Sequence, residues 1–373
     1  MILRGRDPGT GRLLEVDTDG PVIAHVREAT GARDVPWLLP GLVDLQVNGF
    51  GGHDVNGPDV TAEVVVALVR ALARAGTTTV VPTVITAPEG DIVRSLRAIA
   101  EARARDATVR RAVPYVHVEG PHLSPEDGPR GVHPVEQVRP PDPDEFDRWQ
   151  QACEGLVGMV TLSPHHPGAP AYTAHLSRSA TLVAIGHTHA TPAQVRAVAD
   201  AGARLSTHLG NGAHAVLARH PNYLWAQLAD DRLTASFIAD GHHLPADTLT
   251  AMLRAKGLER SVLVSDSVAL AGMPPGEYTT PVGGAVVLSP DGRLSEAGTP
   301  YLAGAARSLA DGVAQVVRLT GLPLGDAVRL ATANPGRFTG GRGHLVPGAP
   351  ADLLLLDPDL RVRQVVAGGE VVG

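Results

Sequence analysis

The sequence predicts an α/β protein built on a (β/α)8 TIM-like barrel, with a small β-sandwich assembled from both chain ends. Three observations carry this. Short β-branched runs alternate with helical patterns through the middle of the chain, as they do in βα units that share a parallel sheet. Eight such runs fall within roughly 225 residues, the size of one barrel. Acid, amide and imidazole side chains gather where the runs end, and that rim is where a barrel carries its chemistry.

The strand runs are residues 42–47, 78–83, 112–119, 158–162, 182–186, 204–207, 234–239 and 261–265. Helical patterns lie between them. The one over 61–75 is closed by Gly76, a residue suited to ending a helix. Thr191-Pro192-Ala193-Gln194 opens another with a capping box and a proline in the first turn. A third, 245–256, stops at Gly257. Residues 283–294 read as a hairpin turning at Pro290-Asp291-Gly292. The ends differ from the middle: Val22-Ile23-Ala24-His25-Val26, Leu353-Leu354-Leu355-Leu356 and 362–366 are short strand patterns. Neither end can bury a core alone, so 1–38 and 347–373 are expected to pair as the sandwich, leaving 39–346 as the catalytic barrel.

The 373 residues, 43% of them hydrophobic, support a core of that size. The net charge of −7 is spread without runs, which argues against nucleic-acid and membrane-surface partners. Cys153 is the only cysteine, so neither an internal disulfide nor a cysteine zinc site can form, and it reads as a small buried hydrophobe. With no apolar leader at the start, a cytoplasmic location is expected. The longest apolar helical stretch, 64–75, is broken by Arg70 and Arg74 and cannot span a bilayer.

The third run ends in Val116-His117-Val118-Glu119-Gly120-Pro121 and the fifth in Ile185-Gly186-His187-Thr188-His189. The sixth ends in Ser206-Thr207-His208-Leu209, the seventh in Ala239-Asp240-Gly241-His242-His243, and the eighth in Val264-Ser265-Asp266. One carboxylate and two imidazoles with an open position suit a catalytic divalent metal, and a further carboxylate can take a proton from water. Taken singly, a strand-end histidine is more often a hydrogen-bonded loop residue; the succession of strands ending this way favours the metal. His117, two residues before Glu119, would sit on the same strand face and support it. Helix-borne zinc motifs, nucleophile elbows and Walker loops are absent, and Gly340-Gly341-Arg342-Gly343 reads as a plain loop.

These segments resemble the N-acetylglucosamine-6-phosphate deacetylases of the amidohydrolase superfamily. The likeness starts at Pro40-Gly41-Leu42-Val43-Asp44-Leu45-Gln46-Val47-Asn48-Gly49 and passes through the strand ends above. It closes at Leu302-Ala303-Gly304-Ala305, Ala333-Asn334-Pro335 and Gly348-Ala349-Pro350-Ala351-Asp352-Leu353. The resemblance implies that Glu119, His187 and His208 hold the metal and that Asp266 is the catalytic aspartate. His133 would hold or polarise the substrate amide. Asn211, Gly212, Arg219 and His243 would meet the sugar or its phosphate; in the family the arginine can come from the neighbouring subunit, which implies a homodimer. Gln46-Val47-Asn48 stands where two-metal relatives carry paired histidines, which implies one divalent ion, zinc by preference. Gln46 and Asn48 are candidates for lining the pocket, with barrel packing as the alternative.

The implied reaction converts N-acetylglucosamine 6-phosphate to glucosamine 6-phosphate and acetate. After His208, Gly210-Asn211-Gly212-Ala213-His214 departs from the family pattern, and Tyr223 and Trp225 either reshape the pocket or pack a helix. That leaves open the same chemistry on another acetamido sugar, an aminocyclitol or an N-acyl compound. A catalytically silent barrel acting as a binding partner is the reading from another class, and retention of Glu119, His187, His208 and Asp266 together argues against it.

Overall fold

The computed structural model describes residues 1–31, 35–280 and 284–372. Its centre is a run of eight parallel strands: β1 (Leu42–Val47), β2 (Thr77–Ile85), β3 (Val116–Glu119), β4 (Val157–Leu162), β5 (Leu182–Ile185), β6 (Leu205–Ser206), β7 (Thr234–Ile238) and β8 (Ser261–Val264). Each strand is buried on both faces, as a barrel strand between an inner core and outer helices must be. Val43, Leu45, Val81, Met159, Ala184, Leu205, Ile238 and Val262 fill the interior, while helices such as Ala62–Arg74 and Pro192–Ala201 pack outside. The Thr191 side chain and Gln194 form the expected capping box.

The seam between β1 and β8 is closed by particular bonds rather than by a regular ladder. Asp266 N donates to Gln46 O (3.0 Å), Asn48 N to Ser267 O (2.8 Å), and Ser265 N to the Asp44 carboxylate (3.1 Å).

One strand differs from its expectation. Residues 112–119 do not form a single strand, because Ala112 ends the helix Ala107–Ala112 and β3 begins only at Val116. Asp106 caps that helix by accepting from Thr108 N and Val109 N, and Pro114 prevents Val113 from extending it.

The chain ends share one seven-stranded sheet in which Leu353–Leu356 runs antiparallel to Trp37–Pro40. The sheet curls until Ile23 N reaches Ala349 O (2.9 Å), enclosing Leu3, Val16, Ile23, Leu353 and Leu355 in a small core. Strand alternation sends Leu354 and Leu356 the other way, into the cluster that holds barrel residues Leu42, Phe237 and Leu263.

After β8 comes a four-stranded antiparallel sheet of β9 (Gly276–Thr280), β10 (Gly284–Leu288), β11 (Arg293–Glu296) and β12 (Leu302–Ala305). The expected hairpin is β10–β11; its first expected residue, Gly283, lies outside the described residues. A bridge between Ser267 and Ala305 joins this sheet to the rim of the barrel.

Candidate active site

A cavity of about 600 Å³ opens at the C-terminal rim, walled on one side by residues of β11, β12 and the segment between them. Glu119, His187 and His208 meet at it. Glu119 Oε1 lies 3.1 Å from His208 Nε2 and 3.5 Å from His187 Nε2, and the two imidazole nitrogens are 3.2 Å apart. All three residues are buried. Donors held at 2.0–2.1 Å from one tetrahedral zinc stand about 3.4 Å from each other, so this donor set fits such an ion.

The backbone aims these groups. His187 (φ 47°), His208 (φ 24°) and Asp266 (φ 48°) all take left-handed conformations as their strands end. Such conformations cost non-glycine residues on the order of 1–2 kcal/mol, a strain the surrounding hydrogen bonds must hold. Ser236 Oγ accepts from His208 N (2.7 Å). Pro129 O lies 2.8 Å from His187 Nδ1; a carbonyl only accepts, so Nδ1 carries the proton and Nε2 presents its lone pair.

Charge is balanced tightly here. Burial works to raise the Glu119 carboxyl, but its contacts with the His187 and His208 imidazoles hold it well below the ordinary carboxylate range. Burial works to lower His208; the bond and charge of Glu119 outweigh it and bring it to about 9. A buried site that favours positive charge on His208 is one that a cation can occupy. Asp266 faces the cavity. Burial raises it to about 6, against the opposing charge of His208, so it takes up a proton more readily than an ordinary aspartate.

Gln46 and Asn48 divide between two tasks. Gln46 is buried, does not line the cavity, and donates from Nε2 to Glu119 Oε1 (2.9 Å). Asn48 lines the cavity and donates from Nδ2 to Asp266 Oδ1 (2.8 Å). His133 lines the cavity with Nε2 at 4.0 Å from Glu119 Oε2, and Glu119, His133 and His187 also cluster closely enough to hold an ion. Burial, then the neighbouring His187, lowers His133 to about 3, so it is a neutral imidazole.

Asn211, Gly212 and His243 line the same cavity. A side chain on Gly212 would put its Cβ 2.7 Å from His187 Nδ1, and φ there is +57°, so glycine suits both the conformation and the contact. His243 Nδ1 is 2.7 Å from Asp240 Oδ2. Burial would raise Asp240, but its bonds with His243 and the backbone hold it at about 2.

Other expected residues stand apart. Arg219 is exposed and does not line the cavity of its own chain: the segment after His208 turns outward, leaving 215–216 and 218–220 in solvent. Tyr223 and Trp225 do not line it either; Tyr223 is buried against His214, and Trp225 is exposed. His117 does not bond Glu119. Its ring bridges Thr83 Oγ1 (3.3 Å) and Thr161 Oγ1 (2.7 Å), because its face of β3 points into the barrel.

Asp44, Pro129, Asp240 and Arg293 went unassigned in the sequence. Asp240, two residues beyond β7, has the strand-end position that marks a candidate carboxylate, whereas Asp44 lies inside β1. Nothing in sequence spacing points to a proline carbonyl or to a residue of the covering sheet.

Residues 37–372 match the model of the amidohydrolase family. The chain is 33% identical to N-acetylgalactosamine-6-phosphate deacetylase of Escherichia coli O157:H7, over 91% of this chain and 88% of that one. It is 31% identical to N-acetylglucosamine-6-phosphate deacetylase of Bos taurus, over 97% and 90%. The crystal structure of N-acetyl-D-glucosamine-6-phosphate deacetylase from Mycobacterium smegmatis superposes with a TM-score of 0.89 at 32% identity, covering 100% of both chains.

Proposed function

Because the chain belongs to the amidohydrolase family, and to the N-acetylglucosamine-6-phosphate deacetylases within it, we propose that it hydrolyses the acetamide of N-acetylglucosamine 6-phosphate. The products are glucosamine 6-phosphate and acetate. The observation that carries this is the meeting of Glu119, His187 and His208 with Asp266 in one cavity at the barrel rim.

Glu119, His187 and His208 would hold one divalent ion, zinc by its N2O donor set, which acidifies water and polarises a carbonyl. Asp266 takes a proton from water as the water oxygen adds to the acetamide carbonyl carbon. Neutral His133 donates a hydrogen bond to the oxygen that gains charge. Asp266 then returns its proton to the sugar nitrogen as the C–N bond breaks. Asn48 holds Asp266 and Gln46 holds Glu119 through both steps. Asn211, Gly212 and His243 bind the sugar. The same family reading carries a homodimer, in which Arg219 can approach a partner's cavity.

The 33% identity to a galactosamine-type deacetylase favours a second reading, the galacto epimer as substrate. Acetate release from both epimers, each with and without the 6-phosphate, decides between them. Faster turnover of the gluco 6-phosphate is expected; release from none of the four removes the deacetylase reading.

A further inference from the structure

One stretch of the cavity wall is aliphatic. Val268 and Leu270 follow Asp266, Leu294 comes from β11, and Leu302 and Ala303 come from β12. A phosphorylated amino sugar carries hydroxyls and charge around its ring, and these groups lose hydrogen bonds with water when set against aliphatic side chains. Its N-acyl chain is the part that gains from such a wall.

The wall is preformed. Val268 N donates to Ala305 O (3.0 Å). Gly304 lies so close to Val268 that a Cβ there would stand 2.7 Å from Val268 Cγ1, at a φ of +127°. Leu270 and Leu294 are buried in one cluster with Val286 and Leu288, and Val268 and Ala303 pack against it. A wall backed by its own core meets a ligand without first having to order its side chains.

Its position relative to the reacting amide follows from the backbone. Val268 is two residues past Asp266, so their Cα atoms are at most about 7.6 Å apart. Ser267 bridges both Val47 and Ala305, which sets the wall over the seam between β8 and β1, away from β6. The residues given to the sugar, Asn211, Gly212 and His243, follow β6 and β7. A secondary amide is trans, so its acyl chain leaves the carbonyl carbon on the side away from the sugar. With the sugar on Asn211 and Gly212, the chain runs toward Val268 and Leu302. The cavity, about 600 Å³, is of a size that encloses drug-sized molecules, so its room does not end at an acetyl methyl.

We propose that this wall is an acyl subsite, and that the protein deacylates amino-sugar phosphates whose N-acyl chain is longer than acetyl, propionyl and butyryl above all. The inference rests on the amide-hydrolase reading of the same site and widens its substrate class. The reaction is otherwise unchanged: water adds to the acyl carbonyl, the C–N bond breaks, and a short-chain carboxylic acid and the amino sugar leave.

The test measures kcat/KM of wild type, Val268→Thr and Ala303→Leu on glucosamine 6-phosphates bearing N-acetyl, N-propionyl and N-butyryl groups. In wild type each added methylene should raise kcat/KM about 2–4-fold, the gain from burying one methylene in part or in full. Val268→Thr keeps the shape but sets a hydroxyl in the wall, so the butyryl-to-acetyl ratio should fall toward one. Ala303→Leu fills the subsite and should bring the ratio below one. Such a ratio does not depend on how much of a variant is folded. Propionyl and butyryl values at or below the acetyl value in wild type overturn the proposal, as does a ratio that neither substitution changes. Hydrolysis of none of the three removes the deacylase reading, and the subsite is then decided by binding. Butyrate should raise the thermal midpoint of wild type more than acetate does at equal concentration, and Val268→Thr should remove that difference; equal shifts in wild type overturn the subsite itself.

Discussion

Asn48 Nδ2 donates a 2.8 Å hydrogen bond to Asp266 Oδ1, joining the end of the first barrel strand to the end of the last. Where two-metal relatives place a histidine, this chain places a donor that seats the candidate general base. Asn48→Ala should lower kcat about 10–100-fold, the loss expected for a hydrogen bond to a charged group, with a smaller change in KM. Metal content should stay at the wild-type level. Steady-state kinetics and elemental analysis check both, and a KM effect without a kcat effect would return Asn48 to simple substrate binding.

Asp266→Asn keeps the shape and removes the base. Turnover should fall about 10²–10⁴-fold with metal retained. Near-normal turnover would take Asp266 out of the reaction.

Gln46 and Asn48 present neutral amides at the end of the first strand, with their NH2 groups turned to Glu119 and Asp266, and amides are weak ligands for a second ion. Elemental analysis of the purified protein should find one divalent ion per chain. Two tightly bound ions would contradict this arrangement.

Gly212→Ala places a methyl group 2.7 Å from His187 Nδ1 at a φ of +57°. The imidazole must shift off Pro129 O, and metal affinity should drop about 10–100-fold, as when a ligand's supporting contact is lost. Chelator competition measures it; unchanged affinity would show that the loop gives way instead.

Asp44 supplies a pH effect on stability. It is fully buried, and burial raises it to about 7 although Ser265 and Gln46 donate to it. In the unfolded chain an aspartate titrates near 3.9, so between about pH 4 and 7 the folded protein keeps a proton that the unfolded chain releases. Stability therefore falls as pH rises through that window, by on the order of a few kcal/mol. Asp44→Asn should flatten this part of the curve; urea midpoints for both proteins at pH 5 and pH 7.5 test it, and parallel curves would assign the pH effect elsewhere.

Much was determined by sequence alone. Alternating β-branched runs and helical patterns specify βα units because their periods differ, and the strand ends carried Glu119, His187, His208 and Asp266 in order. The short strands at both ends announced a shared sheet because neither could bury a face alone. Only tertiary structure decided what the remaining polar residues touch. Gln46 and Asn48 share a strand face, yet their partners lie 73 and 218 residues away, and only closure of the barrel brings those carboxylates to them. His117 shares a face with Glu119 by period, but hydroxyls of β2 and β4 claim its ring. Arg219 and Arg293 are both arginines in loop-rich sequence. Which one lines the cavity depends on where the segment after β6 turns and how the covering sheet pairs to the rim, long-range placements that no local pattern encodes.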